Sequence, residues 1–295
     1  MPSSDHVNHV SLSALLDWNK CQRRHYLAHT RHLRPIARAP ALGSGSAVHA
    51  ALANWLTAFP TIKPTADEIV HLAVGGLRGE FGDDETKYGK YVKGAANSLS
   101  LVPDWIWERR WESETDVTIV LDRDADWQVH GRTDIWSMSD EGIDLLDFKV
   151  SDSNPRDLML WSPQIRYYAL GLQQTYPDRM IHYKYLLLPT QGKRACDPFS
   201  WPFTRAVADR TLSDLIKLVR DYQQYLSLMP HEIGKNTNDI GWQYPRPAYD
   251  RSACGFCPYN PICIAEITGA DRAAVQEEQF VEVVRNANAR HSGAI

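Results

Sequence analysis

Apolar and polar positions alternate with a period of two from Val129 to Ile135, where Val129, Thr133 and Ile135 interleave with His130, Arg132 and Asp134. That is the pattern of a half-buried strand. Ile143 to Val150 is mostly apolar, as a buried central strand would be, and the residues from Ser137 to Gly142 read as a hairpin connection with a late glycine. With Asp116 to Leu121 ahead of them, the runs Trp127 to Trp136 and Ile143 to Val150 predict a three-stranded meander. Helical spacing surrounds it. Ser11 or Ser13 offers an N-cap for a helix through Trp18, Cys21 and Tyr26, after a frayed start over residues 1–9. Gly43 to Ser46 reads as a flexible break, followed by a helix from Ala47 to Phe59 that carries His49. Further helices fill 66–112, with Trp105, Trp107 and Trp111 as core residues. Ser162 as cap and Pro163 at the first helical position start another helix. Met180 to Leu188 then reads as a strand, Arg205 to Leu228 as an amphipathic helix, and 230–250 as irregular chain. The order predicts an α/β fold in three sections: an N-terminal helical section over 1–112, a core over 113–229 and a C-terminal cysteine cap and tail over 230–295.

The hairpin brings chemistry with it. If its turn is centred on Asp140 and Glu141, then Asp134 and Asp147 fall opposite each other on neighbouring strands. A period of two puts Asp147 and Lys149 on one face. Two adjacent carboxylates repel unless a cation lies between them, and an all-oxygen site suits Mg²⁺ or Mn²⁺. A lysine beside such a pair can orient a water or offset charge on a phosphate. Taken alone, these residues also fit a surface hairpin with solvated charges.

Composition narrows the class. The 295 residues are 43% hydrophobic and 23% charged, enough for a substantial core. No apolar run approaches a membrane span and no charged-then-apolar leader opens the sequence, so a cytoplasmic protein without membrane contact is expected. A net charge of −4 means that any surface for nucleic acid must be local. One block stands out: Lys20, Arg23, Arg24, Arg31, Arg34 and Arg38 occur with no acid among them, a candidate phosphate-binding surface or else a solvated helix face.

Cysteine spacing supplies a second centre. Cys254, Cys257 and Cys263 give C-x2-C-x5-C with Gly and Pro bending the chain around them, a pattern of metal or cluster ligation. Cys21 is the most obvious fourth ligand and Cys196 a second option.

Six motifs now follow one another in order. They are Ser11, Ser13, Trp18, Cys21 and Tyr26; then His49; Gly131 and Asp134; Asp147 and Lys149; Gln164 and Tyr168; and the cysteine trio. The chain thereby resembles, over about 11–264, the RecB-type branch of the PD-(D/E)xK nuclease superfamily in its iron–sulfur form, which includes CRISPR-adaptation exonucleases and the AddB nuclease domain. Gln22 stands where many relatives have proline after the cysteine, and the long stretch 50–112 carries no shared motif.

The resemblance implies a mixed central sheet of the restriction-endonuclease-like type, flanked by helices and closed by a C-terminal iron–sulfur cap. It implies that Asp134, Asp147, the Phe148 carbonyl and His49 hold Mg²⁺ or Mn²⁺. Lys149 would position the attacking water, while Gln164 and Tyr168 brace the substrate or the lysine. Cys21, Cys254, Cys257 and Cys263 would ligate a 4Fe–4S cluster. The expected activity is an exonuclease on single-stranded DNA ends, with helicase, recombination or CRISPR-adaptation proteins as partners. Two competing readings are a catalytically decayed nucleic-acid-binding module and a zinc-stabilised scaffold.

Overall fold

The computed structural model describes residues 8–36, 40–121, 127–152, 162–192, 199–228, 254–255 and 257–283. The chain divides into two compact units, Met1–Leu12 with Pro40–Lys217, and Ser13–Ala39 with Leu218–Ile295.

The first unit is built on two sheets. In one, β1 (Asn8–Ser11) runs parallel to β5 (Trp127–Arg132), which pairs antiparallel with β4 (Asp116–Val120). The other has five strands: β3 (Glu112–Ser113), β6 (Ile135–Ser139), β7 (Gly142–Val150), β8 (Ile181–Leu188) and β9 (Phe199–Pro202), in that spatial order. β7 and β8 are parallel and the remaining pairs of this sheet are antiparallel. The predicted single meander is therefore a correction: its strands are shared between two sheets. Chain 127–136 breaks at Thr133 and Asp134, and the partner chain breaks at Glu114 and Thr115. Glu114 N–H donates to the Asp134 carbonyl at 2.9 Å and Thr133 N–H to the Thr115 carbonyl at 2.9 Å, so both chains turn the corner together.

Helices cover one face of the five-stranded sheet. α3 (Pro40–Ala58), α4 (Ala66–Phe81) and α5 (Glu85–Ser100) form one apolar cluster with Leu146 and Phe148 of β7 and with Leu186 and Leu188 of β8. Alternation along β7 sends Phe148 into this cluster and leaves Asp147 and Lys149 for the opposite face. α4 starts on a reciprocal cap between Thr65 and Glu68, and α5 on the Asp84 carboxylate. The expected break at Gly43 to Ser46 is instead helical. A Cβ on Gly43 would lie 2.2 Å from the Phe81 ring, so the glycine serves close packing of α3 rather than flexibility. Trp107 and Trp111 are buried in the cluster as expected. Lys184, midway along β8, pairs with Asp144 at 2.6 Å, and Asp144 also takes Arg109 at 2.6 Å. Between β7 and β8 the chain forms α6 (Gln164–Thr175). Pro163 occupies its N-cap position with no side-chain cap bond, so Ser162 is not the expected cap.

The second unit contains α1 (Leu12–Lys20) from Ser13 onward, α2 (Gln22–His25), a π-helical turn (Tyr26–Thr30) and β2 (Leu33–Pro35). The single helix expected through Tyr26 is interrupted at Cys21, whose sulfur caps α2 by accepting from Arg24 N–H at 3.4 Å. Towards the C-terminus α7 (Arg205–Leu228) enters the unit at Leu218. α8 (Asn260–Thr268), α9 (Arg272–Gln279) and β10 (Phe280–Glu282) follow, β10 pairing antiparallel with β2. The irregular stretch expected over 230–250 lies outside the described residues.

Candidate active site

The β6–β7 turn fixes the register. Ser139 pairs with Gly142 and Ile135 with Leu146, which leaves Asp140 and Glu141 as the turn and sets Asp134 one step beyond the ladder, at the level of Asp147. Asp134 is held from two sides: its Oδ2 accepts from Phe148 N–H at 2.8 Å and lies 3.3 Å from His49 Nδ1 on α3. Asp147 is 1% exposed. Its Oδ2 is ion-paired with Lys149 Nζ but accepts no hydrogen bond of ordinary geometry.

Burial and charge set these groups apart. Burial pushes the Asp147 carboxyl up to about 6; Lys149 pulls it down and Asp134 pushes it further up. For Asp134, burial also acts upward, but the His49 bond and charge, Lys149 and the Phe148 N–H together hold it below the usual carboxylate range. Burial would lower His49, yet Asp134 and Asp147 outweigh it and raise the imidazole. Lys149 follows the same logic: desolvation opposes its charge, and Asp147 and Asp134 overcome it. It is therefore an ammonium that donates, not a base.

On the helix facing this strand pair, Gln164 Nε2 donates to the Tyr168 hydroxyl at 2.8 Å. Burial raises the phenol to about 12, the Gln164 bond opposes this, and Asp147, Asp134 and Glu114 add to it, so its proton stays available for donation. Gly131 explains itself here. A Cβ at that position would lie 2.7 Å from the Tyr168 ring, so glycine lets α6 bring the phenol over the corner.

Glu114 is the residue that sequence reading missed. It sits at the corner with φ 48, a left-handed conformation that glutamate rarely adopts. Burial and the Asp134 charge raise its carboxyl, with Arg132 and His49 acting the other way. No sequence signal marks it, because the motif pattern around it is that of an ordinary strand.

The donor set suits a divalent cation: two carboxylates held at one level, one of them almost fully buried, and an imidazole beside them. Among the described residues no group of three or more His, Cys, Asp or Glu side chains is already drawn together as a metal centre. His49 and Lys149 instead occupy the carboxylates directly.

The second unit gathers the other candidates. Cys21, Cys254, Cys257 and Cys263 are free thiols, half-buried. Burial raises Cys257, and Cys21 and Cys254 contribute to the rise; burial pushes Cys263 up to about 12, with contributions from Cys257 and Cys21. Cys21 thus lies within electrostatic reach of the distant trio, whereas Cys196 lies outside the described residues. In the basic block, Arg23 is buried against Glu266 and Arg24 pairs with Asp17 at 2.9 Å. Lys20 is exposed.

No curated protein matches the chain. Among solved structures it is similar to SSO0001 at 13% identity, over 75% of this chain and 95% of that one, with a TM-score of 0.34. The family model of the PD-(D/E)XK nuclease superfamily matches residues 9–264. That span takes in His49, Asp134, Asp147, Lys149, Gln164 and Tyr168 within one continuous match, and the chain belongs to the PD-(D/E)XK nuclease superfamily.

Proposed function

We propose that the protein is a metal-dependent deoxyribonuclease that acts as an exonuclease on single-stranded ends and carries a structural 4Fe–4S cluster. One observation carries the reading: Asp147, almost fully buried, has the Lys149 ammonium as its counter-charge and a second carboxylate, Asp134, at its level on the neighbouring strand. A stability-driven design would avoid that arrangement, and a cation-binding hydrolase site needs it.

Asp134, Asp147, His49 and the Phe148 carbonyl would hold Mg²⁺ or Mn²⁺. When bound, the cation lowers the pKa of a water and offsets charge on the phosphate. The chain supplies the rest. Phe148 N–H fixes one Asp134 oxygen, so that carboxylate cannot rotate away. Lys149, kept charged by Asp147, donates to the attacking water or to a non-bridging phosphate oxygen. Tyr168, oriented by Gln164, presents its phenol proton to the same space. Hydrolysis forms one P–O bond from water and breaks the bond to the leaving sugar oxygen, which takes up a proton.

The four cysteines fit a cluster on chemical grounds. Cys257 and Cys263, raised by burial first and by neighbouring cysteines after it, are relieved when a cationic centre takes them as thiolates. Phosphodiester hydrolysis moves no electrons, so the role is a clamp between Cys21 and the C-terminal trio. Single-stranded DNA is the expected partner, with helicase, recombination or CRISPR-adaptation proteins beside it. Among the described residues no helix is long and apolar enough to cross a membrane.

The test is digestion of end-labelled single-stranded and duplex DNA with Mg²⁺ or Mn²⁺, with Asp134→Ala, Asp147→Ala and Lys149→Ala alongside. All three variants should be inactive. Cleavage by Asp147→Ala at the wild-type rate refutes the site. Iron content and visible absorbance of wild type and Cys21→Ala separate a cluster from zinc: a colourless, zinc-loaded wild type overturns the cluster.

A further inference from the structure

The long stretch 50–112 shares no motif with the nuclease pattern, yet it builds one wall of a large cleft in the first unit. The cleft, about 1210 Å³, lies between α5, the end of β7 and the turn after β8. Its floor includes Val150 and Ser151, the two residues directly after Lys149. It therefore lies at the C-terminal end of β7, the strand that carries Asp147 and Lys149. α5 is fastened there: Asn97 Nδ2 donates to the Pro189 carbonyl at 3.1 Å and Ser98 Oγ to the same oxygen at 3.0 Å.

Charge gives the cleft a sign. Lys90 and Lys93 both line it and both are exposed, and a spacing of three sets them on one face of α5. Neither makes an ion pair with a described residue, unlike Lys87, which lies 3.7 Å from Asp84 and outside the lining. Among the described residues that line it the one acid is Asp152, already satisfied by Thr190 Oγ1 at 2.6 Å and Gln191 N–H at 2.9 Å, which hold it below the usual carboxylate range. Tyr91 adds an aromatic face, with Lys90 Nζ 5.0 Å from its ring centre.

We propose that this cleft is the binding path for the single-stranded nucleic acid, with Lys90 and Lys93 contacting consecutive phosphates on the way to Lys149; the assignment rests on the nuclease reading. A positive groove with an aromatic platform is how proteins track a single strand without reading its sequence. The volume exceeds the roughly 300–1,000 Å³ of sites that enclose one small molecule, which favours a polymer passing through. In a chain of net charge −4, two lysines that share a helix face with no acidic partner among the described residues are a local exception.

Binding is measured by fluorescence anisotropy of a labelled oligothymidylate in EDTA, so that cleavage plays no part. Removing two phosphate contacts should flatten the log–log salt dependence by about 1.4, which at about 0.1 M salt weakens binding about 25-fold. Lys90→Ala with Lys93→Ala should show both effects, and Lys87→Ala neither. Equal affinity and slope for the double variant and wild type overturn the proposal, as does an equal loss in Lys87→Ala. Thymidine monophosphate, titrated as competitor, should displace the strand only weakly; displacement as tight as the strand's own binding would make the cleft a nucleotide site and overturn the strand path. A wild type that binds through the two lysines but cleaves nothing refutes the nuclease reading and leaves the cleft standing. A wild type that cleaves while the double variant binds normally does the reverse.

Discussion

Replacing Asp147 by asparagine should abolish cleavage and stabilise the fold in the same stroke. Asp147 is 1% exposed, and burial raises its acid from 3.8 to about 6 against the pull of Lys149 and with the push of Asp134. At 1.36 kcal/mol per unit, a rise of about two units corresponds to about 3 kcal/mol. The sign follows from proton binding. An acid with a higher pKa in the folded state holds the extra proton between about 3.8 and about 6, so its cost is absent below that window and complete above it. Asparagine keeps the shape and escapes the cost, and the attraction of Lys149 is already counted in the balance. With an unfolding entropy of about 2.1 cal/mol/K per residue over 295 residues, the gain is about 5 °C in Tm. Thermal unfolding in EDTA at about pH 8 and about pH 4 reads it, with a cleavage assay on the same preparations. Asp147→Asn should melt higher than wild type at the upper pH, with the gap closing at the lower one. Equal or lower melting at the upper pH would show that Asp147 is not held at a cost, and the argument for a cation site would fall with it.

Two further outcomes follow from geometry elsewhere in the fold. His25 is 2% exposed and is pushed down to about 4 by burial first and His29 second; its folded value lies below the unfolded one. Stability should therefore fall as pH drops from about 6.5 towards about 4, by up to about 3 kcal/mol, and a Tm–pH profile of His25→Phe should lack that slope. Gly131→Val places side-chain atoms where the Tyr168 ring lies and should cost about 1–3 kcal/mol, typical of overpacking. In a Tyr168→Ala background the same substitution should cost much less than in wild type; an undiminished cost there would place the strain elsewhere.

The hairpin was legible because two local rules overdetermine it. A two-residue turn sets the register and a period of two sets the faces, so Asp134 and Asp147 could be aligned before any coordinates. The long helix over 205–228 was equally plain from its periodicity. Where the reading failed, a distant contact decided. Gly43 is helical because Phe81 fills the space beside it, a partner 38 residues away. The meander divides because hydrogen-bond partners change at Thr133, and side-chain alternation carries no record of which sheet a strand joins. The α5 lysines were invisible as a site because their meaning lies in Val150 and Thr190, which meet them across the cleft. Glu114 has no local signature at all, since a glutamate with φ 48 is imposed by the corner.

That corner also accounts for how two aspartates at one level of a hairpin acquire opposite characters. Had Asp134 remained in a regular ladder, it would have faced the same desolvated surface as Asp147. Instead the chain leaves one sheet at Arg132 and joins the other at Ile135, and the bend frees Asp134 to take the Phe148 N–H and His49. Thr133, fully buried, locks the bend by donating from both its N–H and its hydroxyl to the Thr115 carbonyl. One carboxylate is thereby kept ionised by donors and the other raised by burial, which is how a site holds fixed negative charge and a titrating group side by side. At the proposed metal site, proton and divalent cation would then compete for Asp147 alone, because the donors around Asp134 hold its carboxyl below the usual range.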